Sequence, residues 1–218
     1  MTDAAPIVDY GYNTENAFHS HGYLYPSMLK ALKAHAPGKA IFELGCGNGS
    51  TADKLVGAGY SVTGIDPSAS GIAIANKAYP KCRLELGSSE EDLAARFGTF
   101  DVVLSLEVAE HVFSPKRYAA AIADLLPVGG IAIISTPYHA YLKNLALALT
   151  GKLDGHFTAL WEGGHIKFWS RATLGSLFEA AGFDEIAFDR VGRVPIFAKS
   201  MVSIYRKRGD AGLARSTP

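Results

Sequence analysis

The chain has 218 residues, enough for one substantial core and too few to require a second. Its 21 basic and 21 acidic residues cancel, so bulk charge recruits neither nucleic acid nor an anionic membrane surface. Two cysteines, an N-terminus without a basic patch leading into an apolar stretch, and no apolar run near the ~18 residues of a membrane span argue against a disulfide scaffold, an export signal or a transmembrane anchor, and favour a reducing cytoplasm.

Apolar strand-like runs alternate along the chain with helix-like patterns, as a doubly wound sheet requires. An N-terminal stretch dense in rings (Tyr10, Tyr12, His19, His21, Tyr23, Tyr25) leads into a helix expected over 25–33. The first strand, 40–44, runs into Glu43-Leu-Gly-Cys-Gly-Asn-Gly49. Three glycines at alternate positions, Gly45, Gly47 and Gly49, with Cys46 between them, imply a loop whose backbone passes close against a bound group. The bland reading is a tight strand-to-helix connection. A helix over 50–58 and a second strand over 61–65 follow, and Asp66 closes that strand 23 residues after Glu43, placed to accept two ribose hydroxyls. A dinucleotide fingerprint spaces its glycines G-x-G-x-x-G to meet a pyrophosphate, whereas this loop is evenly spaced and opens with a carboxylate that would repel one. A ligand with a positive ammonium suits it better.

Next come a helix over 70–79, a strand over 82–86 and, after it, Ser88, Ser89 and Glu90 at the expected cofactor edge. A short helix over 93–97 precedes the fourth strand, 100–106, which ends at Leu106 and opens into Glu107-Val-Ala-Glu110-His111. Two carboxylates and an imidazole at the ligand-binding edge of an open sheet are costly unless a positive charge lies among them, and a divalent cation is the economical candidate. With His165, from Gly164-His-Ile-Lys-Phe-Trp169, these residues make a two-oxygen, two-nitrogen set. The competing readings are that His111 caps a helix or serves as a metal-free base. A helix over 115–126, a strand over 130–135, a helix over 172–181 and strands over 185–190 and 198–205, joined through Gly192 and Pro195, complete the pattern and suggest a final antiparallel hairpin. Residues 138–163 form an insertion whose first half is apolar around most of a helix, with Lys143 and Asn144 as the polar exceptions. Lid, substrate wall, interfacial helix able to make transient membrane contact, and ordinary core all fit that pattern. His139 and His156 within it stay open between surface residue and acceptor neighbour.

Glu43 through Gly49 with Asp66 match both leading motifs of the class I S-adenosyl-L-methionine (SAM)-dependent methyltransferases, and the chain resembles that family from about residue 20 to 207. The later E-x-x-E-H and G-x-H-x-x-F/W segments are similar to those of ubiquinone-pathway (polyprenyl-catechol) O-methyltransferases and of small-RNA 2′-O-methyltransferases. The resemblance implies a Rossmann-like α/β fold with a seven-stranded, mostly parallel sheet, helices on both faces and a C-terminal antiparallel hairpin, in one domain over 1–218. Residues 9–35 become its cap and 138–163 its substrate-side insertion. It implies SAM held by Glu43, Gly45, Cys46, Gly47, Gly49, Asp66, Pro67, Leu106 and, near the adenine, Ser88, Ser89 and Glu90. A divalent metal such as Mg or Mn would sit on Glu107, Glu110, His111 and His165, with His111 or His165 taking the acceptor's proton where no metal is present. The implied acceptor is the hydroxyl of a small apolar or aromatic molecule. The RNA alternative is weakened by zero net charge, Arg206-Lys-Arg208 being its one basic cluster. A nicotinamide oxidoreductase and a non-catalytic SAM-binding protein are the other classes. Both chain ends, 1–8 and 209–218, are expected to be poorly ordered.

Overall fold

The computed structural model describes residues 9–17, 19–157 and 159–209, so the expectation for the two chain ends lies, Gly209 apart, outside the described residues. Five parallel strands, β1 (Ala40–Leu44), β2 (Ser61–Asp66), β3 (Arg83–Leu86), β4 (Val102–Leu106) and β5 (Ile131–Pro137), join an antiparallel pair, β6 (Phe183–Val191) and β7 (Ser200–Lys207). Spatial order is β3-β2-β1-β4-β5-β7-β6. β1 stands third in that order, and the succession of strands reverses there, running outward to β2 and β3 on one side and to β4 and β5 on the other. In an open α/β sheet that reversal leaves a crevice beyond the carboxyl ends of the strands. The Glu43 loop, Asp66 and the Glu107 turn all emerge there.

The central strands are apolar on both faces because helices cover both. Ile41, Val102 and Ile133 point into one layer with Leu24, Met28 and Leu32 of α1 (His21–His35) and Leu55 of α2 (Ser50–Gly57). Phe42, Val103 and Ile134 point into the other, with Tyr118 and Ile122 of α5 (Pro115–Asp124) and Phe178 of α8 (Arg171–Ala180). A fully buried side chain of this size contributes roughly 1.5–3 kcal/mol. The remaining helices are α3 (Ala69–Ala78), α4 (Leu93–Phe97), α6 (Tyr141–Leu149) and α7 (Leu153–Phe157).

Differences from the expected boundaries have local causes. α1 starts at His21 and carries Pro26 inside it, because burial of Leu24, Met28 and Leu32 against the sheet outweighs one missing N–H donor. β4 begins at Val102, since the Phe100 N–H goes to the Leu125 carbonyl and the Asp101 carboxylate accepts from the Ala40 N–H. β6 and β7 form the antiparallel hairpin, with a 3₁₀ turn at Pro195–Phe197 in their connection.

Gly49 shows why the loop needs its glycines. It lies at φ +81° as the residue entering α2, and a Cβ there would stand 2.9 Å from both the Ala75 and Leu84 side chains. Any side chain would thus meet a disfavoured backbone region and a filled core together.

Candidate active site

The crevice is a cavity of about 520 Å³. Glu43, Gly45, Cys46, Gly47, Asp66, Pro67, Ser88, Ser89, Leu106, Glu107, His111 and His165 all line it. Gly49 lies behind the loop. Glu90 sits outside that lining and pairs with Arg117 at 2.9 Å. Tyr10, Tyr12 and Trp161, which the sequence did not single out individually as cofactor or metal residues, add aromatic walls. Asn48 holds the N-terminal segment over the loop by donating its side-chain amide to the carbonyls of Thr14 and Asn16. Tyr12 donates its backbone N–H to Ser70 Oγ.

Two buried acids set the field at the glycine loop. Burial, with Asp66 adding to it, pushes the Glu43 carboxyl well above the ordinary carboxylate range, and Glu43 Oε2 is buried without a hydrogen-bond partner among the described residues. Asp66 accepts the Gly47 and Ser68 N–H groups at 2.8 Å each. Burial still raises its pKa, against those bonds. Asp66 thus shapes the loop as well as facing the cavity, a second duty its position in sequence did not reveal. A site of two desolvated acids and a backbone cradle favours a ligand with a cationic group and hydroxyl donors.

At the far side of the cavity His111 and His165 line the wall and Glu110 lies buried behind them, outside the lining, each of the three offering a ligand atom within 4.8 Å of the others. Glu107 points elsewhere. Its backbone lies at φ +55°, and its carboxylate accepts from Ser135 Oγ at 2.8 Å and Ser200 Oγ at 3.0 Å. Positive φ in a residue with a side chain costs about 1–3 kcal/mol, and here it turns Glu107 towards β5 and β7, while a tight turn closed by the His111 N–H on the Val108 carbonyl follows it. Burial raises Glu107 to about 7. Glu110 is raised well above the ordinary range by burial and then by Glu107.

Among these groups the proton positions are legible. His111 Nδ1–H donates to the Gly163 carbonyl at 2.8 Å, which leaves Nε2 with its lone pair. Burial lowers His111, and burial followed by the neighbouring imidazoles lowers His165 to about 4, so both rings are neutral near pH 7. Glu110 Oε1 is buried without a hydrogen-bond partner among the described residues and lies 3.9 Å from His165 Nε2. An orphaned carboxylate oxygen beside two neutral imidazoles is a donor set that fits a divalent cation. The backbone fixes this arrangement, because the Glu110 carbonyl accepts the N–H groups of Ile166 and Lys167, and Trp169 Nε1 donates to the Ala109 carbonyl.

Trp161 meets the His111 ring edge-on at 5.7 Å and the His165 ring at 5.5 Å, and Tyr10 packs on His111 at 5.6 Å. The second half of the insertion is therefore a wall of the cavity. α6, in contrast, buries none of its residues, so it is not ordinary core. His139 and His156 form a separate ring cluster with Phe157 and Phe168.

A doubly wound sheet thus gathers an acid-led glycine loop, a second-strand acid and an acid–imidazole cluster around one crevice, as a ligand-binding α/β domain does. Residues 18–187 match the family model described as Methyltransferase domain, and the chain belongs to that family, which sets aside the oxidoreductase reading. Among curated proteins it is 37% identical over 128 residues to the ubiquinone biosynthesis O-methyltransferase of Caulobacter sp. (strain K31), covering 57% of this chain and 49% of that one. It is 34% identical over 167 residues to the protein of the same name from Thiobacillus denitrificans, covering 73% and 71%. The chain spans about half the length of the first of the curated relatives it matches. The magnesium protoporphyrin IX methyltransferase from Synechocystis PCC 6803, solved with bound SAH, shares the fold with a TM-score of 0.63 at 22% identity over 84% of this chain and 82% of that one. No helix among the described residues is long and apolar enough to cross a membrane.

Proposed function

We propose that this chain moves a methyl group from SAM to a hydroxyl oxygen of a small apolar or aromatic acceptor, and that residues 1–218 act as one methyltransferase domain capped by 9–35. The observation that carries the reading is the pairing, around one cavity, of Glu43's orphaned buried oxygen at a glycine cradle with His111 and His165 and the Glu110 carboxylate behind them. The O-methyltransferase names of the curated relatives support oxygen as the acceptor atom.

Glu43 would take the cationic methionyl end, Asp66 the ribose hydroxyls, and Gly45, Cys46, Gly47, Pro67, Ser88, Ser89 and Leu106 the rest of the cofactor surface. When bound, SAM supplies an electrophilic methyl on a sulfonium centre. Glu110, His111 and His165 would hold a divalent cation such as Mg or Mn, with Glu107 as a neighbouring acid tied to Ser135 and Ser200. Such a cation, when bound, lowers the pKa of an acceptor hydroxyl. Trp161 and Tyr10 orient the acceptor and keep water from its oxygen, which is where alignment of the reacting atoms contributes most. Where no cation is bound, Nε2 of His111 or the neutral His165 can receive the hydroxyl proton instead.

Incubation with SAM and a simple catechol tests this. The expected product carries one added methyl on oxygen, its yield drops on chelation, and Mn²⁺ restores it. Methylation confined to nitrogen acceptors would contradict the reading.

A further inference from the structure

A second cavity, of about 390 Å³, lies between α6, α7 and the β6–β7 connection, apart from the cofactor crevice. Lys143, His156, Arg193 and Lys199 line it together with apolar Leu147 and Phe197, and its lining holds no carboxylate. No Asp or Glu stands within ion-pair distance of Lys143, Arg193 or Lys199 among the described residues. Lys143 is half-buried and donates to the Tyr138 carbonyl at 3.1 Å and the Ala198 carbonyl at 3.3 Å. An ammonium has three donors, so one is left over. Among the described residues, Lys199 Nζ reaches His19 Nε2, at 3.3 Å, and the face of Tyr23.

Gathering three cationic side chains around one partly apolar hollow is unfavourable unless an anion joins them. The crowding is felt inside the group, since burial first and Arg193 second lower the Lys143 pKa, against the buried Glu107 carboxylate outside the hollow, which raises it. Arg193 adds a planar fork of donors suited to two oxygens of one acid group. Leu147 and Phe197 offer a wall that an inorganic ion would leave bare, and the volume falls in the range of small-ligand sites.

We propose that this cavity is a binding site for an oxyacid group, carboxylate or phosphate monoester, carried on a short apolar stem, with Arg193 and Lys199 gripping the acid and Leu147 and Phe197 covering the stem. The site shares no lining residue with the cofactor crevice, so it stands whether or not the methyl-transfer reading does.

Calorimetric titration of the full chain without methyl donor tests it, using octyl phosphate, octanoate, inorganic phosphate and, below its micellar concentration, octyl glucoside. Octyl phosphate or octanoate is expected to bind about tenfold or more tightly than inorganic phosphate or the glucoside, and the double variant Arg193→Gln/Lys199→Gln to lose about tenfold or more of that affinity, as loss of charge-assisted bonds implies. Both acids binding marks either source as admissible; one alone identifies it. SAM affinity of the variant, unchanged, reports an intact fold. Equal binding of octyl glucoside, equal binding of inorganic phosphate, or an unaffected variant would each overturn the proposal.

Discussion

Replacing Glu110 with alanine is expected to lower methyl transfer by about 10²–10⁴-fold while cofactor affinity changes little. The side chain lies buried behind His111 and His165, with one oxygen held by Thr136 and the other facing His165. Its backbone carbonyl, which anchors Ile166 and Lys167, survives the substitution, so the His165 segment keeps its place. The substitution opens a small cavity and leaves the Thr136 hydroxyl without its acceptor, so a melting curve beside the rates separates lost turnover from lost fold. His165→Ala should behave alike. Steady-state rates beside a calorimetric SAM titration check both variants; a parallel loss of SAM affinity would contradict the assignment.

Glu43→Gln should act in the opposite sense on stability and on ligand. In the folded chain without ligand, burial and Asp66 hold the Glu43 carboxyl well above its ordinary value. A raised carboxyl pKa means that the folded state keeps a proton the unfolded state releases, so Glu43's contribution is present below about pH 4.5 and is lost as pH rises through the raised value. Glutamine removes that penalty, and the unliganded variant should melt higher near neutral pH, by about 2–4 °C for each kcal/mol recovered. A cationic ligand group requires the ionised carboxylate, so wild-type SAM binding should release a proton and tighten with rising pH across that window. The variant should lose this pH dependence along with about thirtyfold of affinity, roughly 2 kcal/mol, the lower range for breaking one side of a buried charge pair. Melting curves and titrations over pH, in buffers of different ionisation enthalpy, measure each part.

Much of the architecture was legible because the signals were local and repeated. Apolar runs bounded by turns gave seven strands in the correct order of types, and the glycine triplet with its flanking acids marked the crevice, since positive φ and close packing admit no other residue at Gly49. What escaped depends on distant partners. Glu107 reads in sequence as the natural mate of Glu110, yet Ser135 and Ser200, 28 and 93 residues away, draw it aside at positive φ. Trp161 belongs to a stretch without hydrophobic periodicity, so only its place in the 138–163 insertion, one reading of which was a substrate wall, bore on it. Apolar periodicity over α6 could not tell a covered helix from an exposed one, and Tyr141, 95% exposed, shows how little of it is covered among the described residues. Lys143, an isolated charge on that helix, was the single mark of the second cavity.

Titrating the purified chain with SAM and, separately, with NAD, and reading occupancy by native mass spectrometry, puts the central claim to its most direct test. One SAM per chain, displaced by S-adenosylhomocysteine and weakened by Glu43→Gln, is the result this account predicts. No SAM bound, or NAD bound in its place, would contradict it.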